Sequence, residues 1–315
     1  MKLNIKETET MILKLIKNQY WLDCRASFDA LVSLFDECQN SDELKLITEL
    51  INRFEYTNEQ DFFNFYREEA KRIAEDTSLL PDQCIIGPTK DDLRPDSSQA
   101  VTRPFYRYLL PYKKKLTVCN NFKYIENFIC KANKKKINVV LLDDFIGTGR
   151  TMICRMKKCD KIVKENKTIE ECKYQIIALA AMERGKTIIE NTGASVYTRH
   201  ILRRGISDNY NGLELRRAKT NMRRLESLFL NNPTTHEYSF GFQQSEALYV
   251  KIEREFTDIS TREKIFLTQK TVLFLLPTVY YSSLMFPTRP TSGLIRYKRT
   301  APIHIDRAAM PNAKM

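Results

Sequence analysis

The sequence predicts an α/β protein in which a parallel sheet is covered by helices on both faces and preceded by a wholly helical N-terminal module. Three observations carry this. Continuous apolar runs at 84–86, 137–142 and 174–182 alternate with helical stretches, the pattern of strands buried on both sides. The first 76 residues instead carry apolar residues at helical spacing. Finally, the run Val139–Leu142 leads straight into two acids and a glycine turn that opens a helix.

In the N-terminal module, Phe28, Leu31, Phe35 and Cys38 form one helical stripe and Leu44, Ile47, Ile51 and Phe54 another. Thr57 followed by Gln60 reads as a capping box ahead of Phe62, Tyr66, Ala70 and Ile73. Trp21 and the phenylalanines fall in register with these stripes and are read as core. After LLPDQ the period changes. Cys84–Ile86 is a buried strand ended by Gly87 and Pro88, and the loop TKDDLRPDSS follows. Asp96, Ser97 and Ser98 then offer caps to a helix starting near Gln99, and a helix start fronted by small hydroxyls suits an anion.

Residues 121–134 form the next helix, 137–142 a strand, 149–164 a helix, and 174–182 and 194–197 two further strands. Leu215, Ala218, Met222, Leu225 and Phe229 make one stripe of an amphipathic helix over 213–230, and 240–250 is a glycine loop entering a helix or strand. Beyond about residue 255 no period survives. The predicted division is a helical docking or regulatory module at 1–78, the sheet domain at 79–255, and an irregular tail at 256–315 that is divergent or frame-shifted.

The charge balance points to a polyanion. Fifty-one Lys and Arg against 39 Asp and Glu give +12 and a pI of about 9.2. The excess gathers in 113–136 and 203–224, where the competing reading is a solvated charged face. MKLNIKETETM is too polar for a signal peptide, so a cytoplasmic chain with no membrane partner is expected. The eight cysteines form no CxxC pair and only three histidines are present, which leaves no zinc-ligand spacing and predicts reduced thiols.

Ligands of a parallel sheet sit beyond the carboxyl ends of its strands. That edge, after Val139–Leu142, is occupied by Asp143 and Asp144, with Ile146–Thr151 as the loop into the following helix. Gly147 and Gly149 let backbone N–H groups approach an anion, and Thr148 and Thr151 add hydroxyls at the positive end of the helix dipole. Two carboxylates beside a phosphate cradle would repel the phosphate unless a ribose lies between them. Its 2′ and 3′ hydroxyls would donate to the acids while its 5′ phosphate lies in the loop. The spacing describes a ribose 5-phosphate site.

VVLLDDFIGTGRT resembles the signature of the type I phosphoribosyltransferases. The resemblance implies a phosphoribosyltransferase-like, Rossmann-like fold over about 80–250, with phosphoribosyl pyrophosphate or a related nucleotide as ligand. It also implies Mg²⁺, with Asp143 and Asp144 as the acids that face ribose and metal. Gly147, Thr148, Gly149, Arg150 and Thr151 would hold the 5′ phosphate, Arg150 occupying the variable position of Thr-Gly-x-Thr. The family's pyrophosphate loop falls on Asp96, Ser97 and Ser98, although TKDDLRPDSS is longer than that loop and lacks its glycine.

Together with the helical module, the segments DSSQ, MERG and GISD are similar to phosphoribosyltransferase-like effectors encoded beside reverse transcriptases in type III bacterial retrons and related antiphage systems. That likeness implies a toxin held inactive by a reverse transcriptase with its msDNA, an RNA–DNA hybrid whose phosphates would suit the basic chain. The expected Pro-Asn-Asn segment near the C-terminus is missing. The competing functions are a nucleotide-sensing module of the same fold that has lost the chemistry, a metabolic phosphoribosyltransferase, and a plain nucleic-acid-binding protein.

Overall fold

The apolar runs become neighbouring strands in the computed structural model, which describes residues 5–19, 22, 25–90, 97–112, 115–229, 240 and 245–251. The first elements are α1 (Ile5–Asn18), α2 (Arg25–Asp36) and α3 (Ser41–Asn52), then a short strand β1 (Glu55–Thr57) and α4 (Glu59–Glu75). Helix α3 starts on Asn40, whose side chain accepts from Glu43 N at 3.0 Å. The predicted Thr57–Gln60 capping box is not used. Asn58 caps α4 instead, accepting from Asp61 N at 2.7 Å, because Thr57 is committed to β1 and its hydroxyl meets His200 Nε2 at 3.0 Å.

The remainder runs β2 (Cys84–Pro88), α5 (Ser97–Leu109), β3 (Thr117–Val118), α6 (Phe122–Lys131), β4 (Lys136–Ile146), α7 (Arg150–Glu165) and β5 (Glu171–Met182). It continues through α8 (Glu183–Glu190), β6 (Ser195–Tyr197), β7 (His200–Leu202), α9 (Gly212–Phe229) and β8 (Tyr249–Lys251). The main sheet has the order β3-β2-β4-β5-β6, with β7 pairing farther along β5, and all its pairs are parallel. Two boundaries are corrected. Helix α5 begins at Ser97 rather than near Gln99, and β4 does not stop at Leu142 but runs to Ile146, since its ladder with β5 continues to Ile146↔Ala181. Strands β1 and β8 pair parallel with each other, Tyr56 opposite Val250.

Side chains alternate along the strands and build a core on each face of the sheet. Cys84, Ile86, Val140, Leu142 and Ile177 pack with α4 and α5, while Ile85, Val139, Leu141, Ile176 and Ala178 pack with α6, α7 and α8. A third core joins α1, α2 and α3 to α9, whose predicted stripe of Ala218, Met222 and Leu225 is buried there beside Ile206 and Leu248. The cut at residue 78 thus passes between partners of one core: α4 lies N-terminal to it, yet Phe62, Phe65, Tyr66, Ala70 and Ile73 are buried against the sheet. Trp21 and the predicted tail at 256–315 lie outside the described residues. No helix among the described residues is long and apolar enough to cross a membrane.

Much of the basic excess is balanced at short range. Lys123, Lys135 and Lys136 pair with Glu126, Glu170 and Glu171 at 3.2, 2.7 and 3.4 Å, and Lys134 with Asp82. In the second cluster Arg204 pairs with Asp208 at 2.6 Å, and Arg224 holds the buried Glu43. Arg216, Arg217 and Arg223 remain exposed on α9.

Candidate functional site

The strand order reverses between β2 and β4: the chain leaves β2 for β3 on one side, then crosses back to β4 on the other. A crevice opens at such a switch point, outside the carboxyl ends of the two strands. Thr89 stands there, directly after β2, and Asp143 and Asp144 face it from β4. Thr89 Oγ1 donates to Asp143 Oδ2 at 3.2 Å, and Asp143 Oδ1 accepts from Asp144 N at 3.0 Å. Arg155 on α7 fixes the other rim, its Nε donating to Thr89 O at 2.6 Å while the guanidinium lies 4.9 Å from the Phe122 ring. Asp143 and Asp144 are 8% and 3% exposed.

The sheet is modified at the acids themselves. In the parallel β4–β5 ladder Asp143 is opposite Ala178, so Leu179 N–H would normally donate to Asp143 C=O. Instead the Tyr66 hydroxyl from α4 lies between them, donating to Asp143 O at 2.7 Å and accepting from Leu179 N at 3.2 Å. The facing of side chains slips at the same place. Val140 and Leu142 pack with α4 and α5, as does Phe145, which strict alternation would send to the other face; on β5, Leu179 and Ala180 both pack on the α4 side. Two strands slipping in step around an inserted hydroxyl keep their register. They also release the acid pair from the rule that neighbours on a strand point to opposite faces.

Burial pushes the Tyr66 phenol well above its ordinary value, and the nearby Asp144 and Asp143 charges add to this, so it stays a donor. Tyr249 is raised in the same way, by burial and by Asp144, and its ring stacks on Phe145 at 6.0 Å. Strand β8 thereby covers the α4 side of the acids.

After β4 comes the loop of Gly147, Thr148 and Gly149. Gly149 has φ +78° and, having no side chain, supplies no side-chain cap to α7, so the positive end of a 16-residue helix faces the loop. The loop is seated on the start of α8. A Cβ at Gly149 would lie 2.8 Å from Gly185 O, and one at Gly185 would lie 2.1 Å from Gly147 O. Gly147 has no such constraint, since a Cβ there would meet nothing closer than 3.5 Å. Thr148 is half-buried, and Arg150 and Thr151 are exposed in the first turn of α7. If this loop takes a phosphate, Thr151→Val lowers phosphate-ester affinity about tenfold or more, one hydrogen bond to a charged group being worth about 1.5–3 kcal/mol. Arg150→Ala, which removes only a screened surface charge, costs about fivefold or less. Titration calorimetry with ribose 5-phosphate measures both, and the reverse order would overturn this placement of the loop.

The structure therefore brings Asp143 and Asp144 together with the 147–151 loop. Ser98, in the first turn of α5, is only 1% exposed; Asp96 and the Ser97 side chain lie outside the described residues. Sequence reasoning missed Thr89, Tyr66, Arg155 and Gly185. Thr89 was within reach, because it follows a strand that ends in Gly-Pro, by the same edge argument that found the acids. Tyr66 gave no signal beyond its place in an aromatic stripe. Among the described residues no group of three or more His, Cys, Asp or Glu is placed to hold a metal. The donor set fits Mg²⁺ nonetheless, because that ion is commonly held by one or two carboxylates and completes its shell with ligand oxygens and water.

A protein-family model described as PRTase-CE matches residues 28–253. No curated protein sequence matches the chain. Among solved structures the chain is similar to the AQ2163 protein from Aquifex aeolicus, at 13% identity over 64% of this chain and 87% of that one, with a TM-score of 0.29. It is also similar to orotate phosphoribosyltransferase from Aeropyrum pernix, at 12% identity over 52% and 75% with a TM-score of 0.27. A hypothetical protein from Neisseria gonorrhoeae with bound ppGpp is similar at 11% identity over 55% and 97%, with a TM-score of 0.29.

Proposed function

Since the chain belongs to the PRTase-CE family, we propose that its switch-point crevice binds the ribose 5-phosphate part of phosphoribosyl pyrophosphate or of a nucleotide. The observation that carries this reading is the joint placement of the Asp143–Asp144 pair and the uncapped α7 start, joined by a glycine loop seated on Gly185. Asp143 and Asp144 accept from the ribose hydroxyls, and the loop N–H groups with Thr148 and Thr151 hold the 5′ phosphate. Thr89 and Tyr66 fix Asp143 from two sides, which keeps the acid pair preorganised. With the sugar so held, the two carboxylates stabilise positive charge developing at C1 when the bond to the leaving group breaks. Mg²⁺, when bound at these carboxylates, would neutralise charge on the ligand's oxygens.

The biological role we propose is that of an effector in a retron-type antiphage system, held inactive by a reverse transcriptase and its RNA–DNA hybrid. The resemblance of DSSQ, VVLLDDFIGTGRT, MERG and GISD to such effectors supports it. So does the +12 charge, which suits a nucleic-acid partner.

The test is the double variant Asp143→Asn, Asp144→Asn, isosteric at both positions. Binding of ribose 5-phosphate should weaken about thirtyfold or more, as expected for two lost charge-assisted hydrogen bonds. Toxicity of the freely expressed chain should disappear with it while the partner is still bound. A chain that was never toxic, yet whose ligand affinity falls as stated, would be a sensor rather than an enzyme. Unchanged affinity would remove the site assignment.

A further inference from the structure

A second cavity adjoins the phosphate loop. It has a volume of about 590 Å³, and Gly147 and Thr148 are among the residues that line it. Around it stand Arg184 from α8, Arg204 from the turn after β7, and Lys219 and Arg223 from α9. The MERG and GISD segments, at 182–185 and 205–208, meet here, since Met182, Arg184, Ser207 and Asp208 all line the cavity.

The charges do not cancel. Four cations face two carboxylates, Asp208 and Glu246. Arg204 is spent on Asp208 at 2.6 Å. Glu246 is occupied by the protein itself: it accepts from Ile206 N at 3.0 Å and from Ser207 N at 2.5 Å, and Lys219 approaches it at 3.8 Å. Arg184 and Arg223 have no acidic partner among the described residues, Arg223 resting 5.1 Å from the centre of the Phe240 ring. A buried group also waits there. Ser245 is 5% exposed, its hydroxyl has no hydrogen-bond partner among the described residues, and it lies against the loop, its Cβ 3.8 Å from where a Cβ on Gly147 would be. A hydroxyl buried without a partner is costly unless something else supplies one.

We infer that this cavity is a second anion subsite, in which Arg184, Arg223 and Ser245 receive a second phosphoryl group of the ligand whose ribosyl phosphate occupies the 147–151 loop. The inference rests on the proposed function and narrows it: the ligand is a nucleotide carrying two phosphoryl groups rather than one. The second group can be attached through the 5′ phosphate or elsewhere on the nucleoside. The chemistry recognised is the same.

Titration calorimetry on the full chain with adenosine 5′-monophosphate, adenosine 5′-diphosphate and adenosine 3′,5′-bisphosphate tests it. At least one doubly phosphorylated probe should bind about tenfold more tightly than the monophosphate, the worth of one charge-assisted contact. Which one does so reports the point of attachment. The double variant Arg184→Gln, Arg223→Gln should erase that advantage, and Ser245→Ala should reduce it, while monophosphate affinity holds in both. Equal binding of all three probes by the wild-type chain would overturn the second subsite alone. So would an equal loss for every probe in the arginine variant, which would place these arginines on the loop phosphate. No binding of any probe would overturn the ribosyl-phosphate site and this subsite together.

Discussion

Gly185→Ala should abolish the proposed ribose 5-phosphate binding, although residue 185 belongs to neither the acid pair nor the 147–151 loop. The new methyl would lie 2.1 Å from the carbonyl oxygen of Gly147. That neighbour is backbone, so no rotamer change relieves the clash, and either the loop or the first turn of α8 has to move. Neither can move alone without consequence. Gly149, at φ +78°, is so near Gly185 O that even a Cβ on it would lie 2.8 Å away, and α8 follows directly from the last residue of β5. A shift on the order of 1 Å takes the loop N–H groups out of hydrogen-bond range of a phosphate, since such bonds weaken steeply beyond about 3.2 Å. Lys186→Ala is the control, one position along the same helix, where only the surface pair with Glu190 is lost. Calorimetry should find no heat of binding for the first variant and normal affinity for the second, with both retaining the wild-type far-UV spectrum. Normal binding by Gly185→Ala would mean that the loop is not the phosphate seat.

The same contact illustrates what could be read from the chain. Local patterns were legible. The apolar strand at 139–142, the acids after it and the helix after Gly149 are all written within fourteen residues, and the buried stripe on α9 follows from spacing alone. What was not legible is what distant segments bring to those elements. Gly185 has a meaning only through Gly147, and Tyr66 only through the gap it fills between Asp143 and Leu179. Strand β1 finds its partner some 190 residues later in β8, and three-residue strands leave no alternation to detect. The extension of β4 to Ile146 escaped for a related reason. Two adjacent carboxylates read as the end of a strand, yet the ladder with β5 carries on through them and the inserted tyrosine hydroxyl takes up the irregularity.

Deleting residues 1–78 should prevent folding rather than liberate an active domain. The sequence alone suggests a separable docking module with that boundary, but the cut would remove α4 from the face of the sheet. Phe62, Phe65, Tyr66, Ala70 and Ile73 leave with it, each no more than 6% exposed. One large buried aromatic lost to Ala costs about 3–5 kcal/mol, and a whole domain holds only about 5–15 kcal/mol. Three such rings in one helix therefore exceed the margin. Losing Tyr66 also leaves Leu179 N–H and Asp143 C=O without the hydroxyl that joins them, at the centre of the candidate site. A cut after Arg53 has a different cost. It spares β1, α4 and the sheet core, but it bares Ile206, Ala218, Met222, Leu225 and Leu248, which α1, α2 and α3 cover. Circular-dichroism melts and gel filtration separate the cases: no cooperative transition for the longer deletion, and a folded but self-associating chain for the shorter one. A monomeric, cooperatively melting 79–315 fragment would show that α4 is dispensable to the sheet. If the shorter deletion behaves as expected, α1–α3 and their seat on α9 are the separable unit on which the proposed partner contact is to be tested. Helix α9 also contributes Lys219 and Arg223 to the cationic cavity, so the packing is continuous from the N-terminal helices to that cavity.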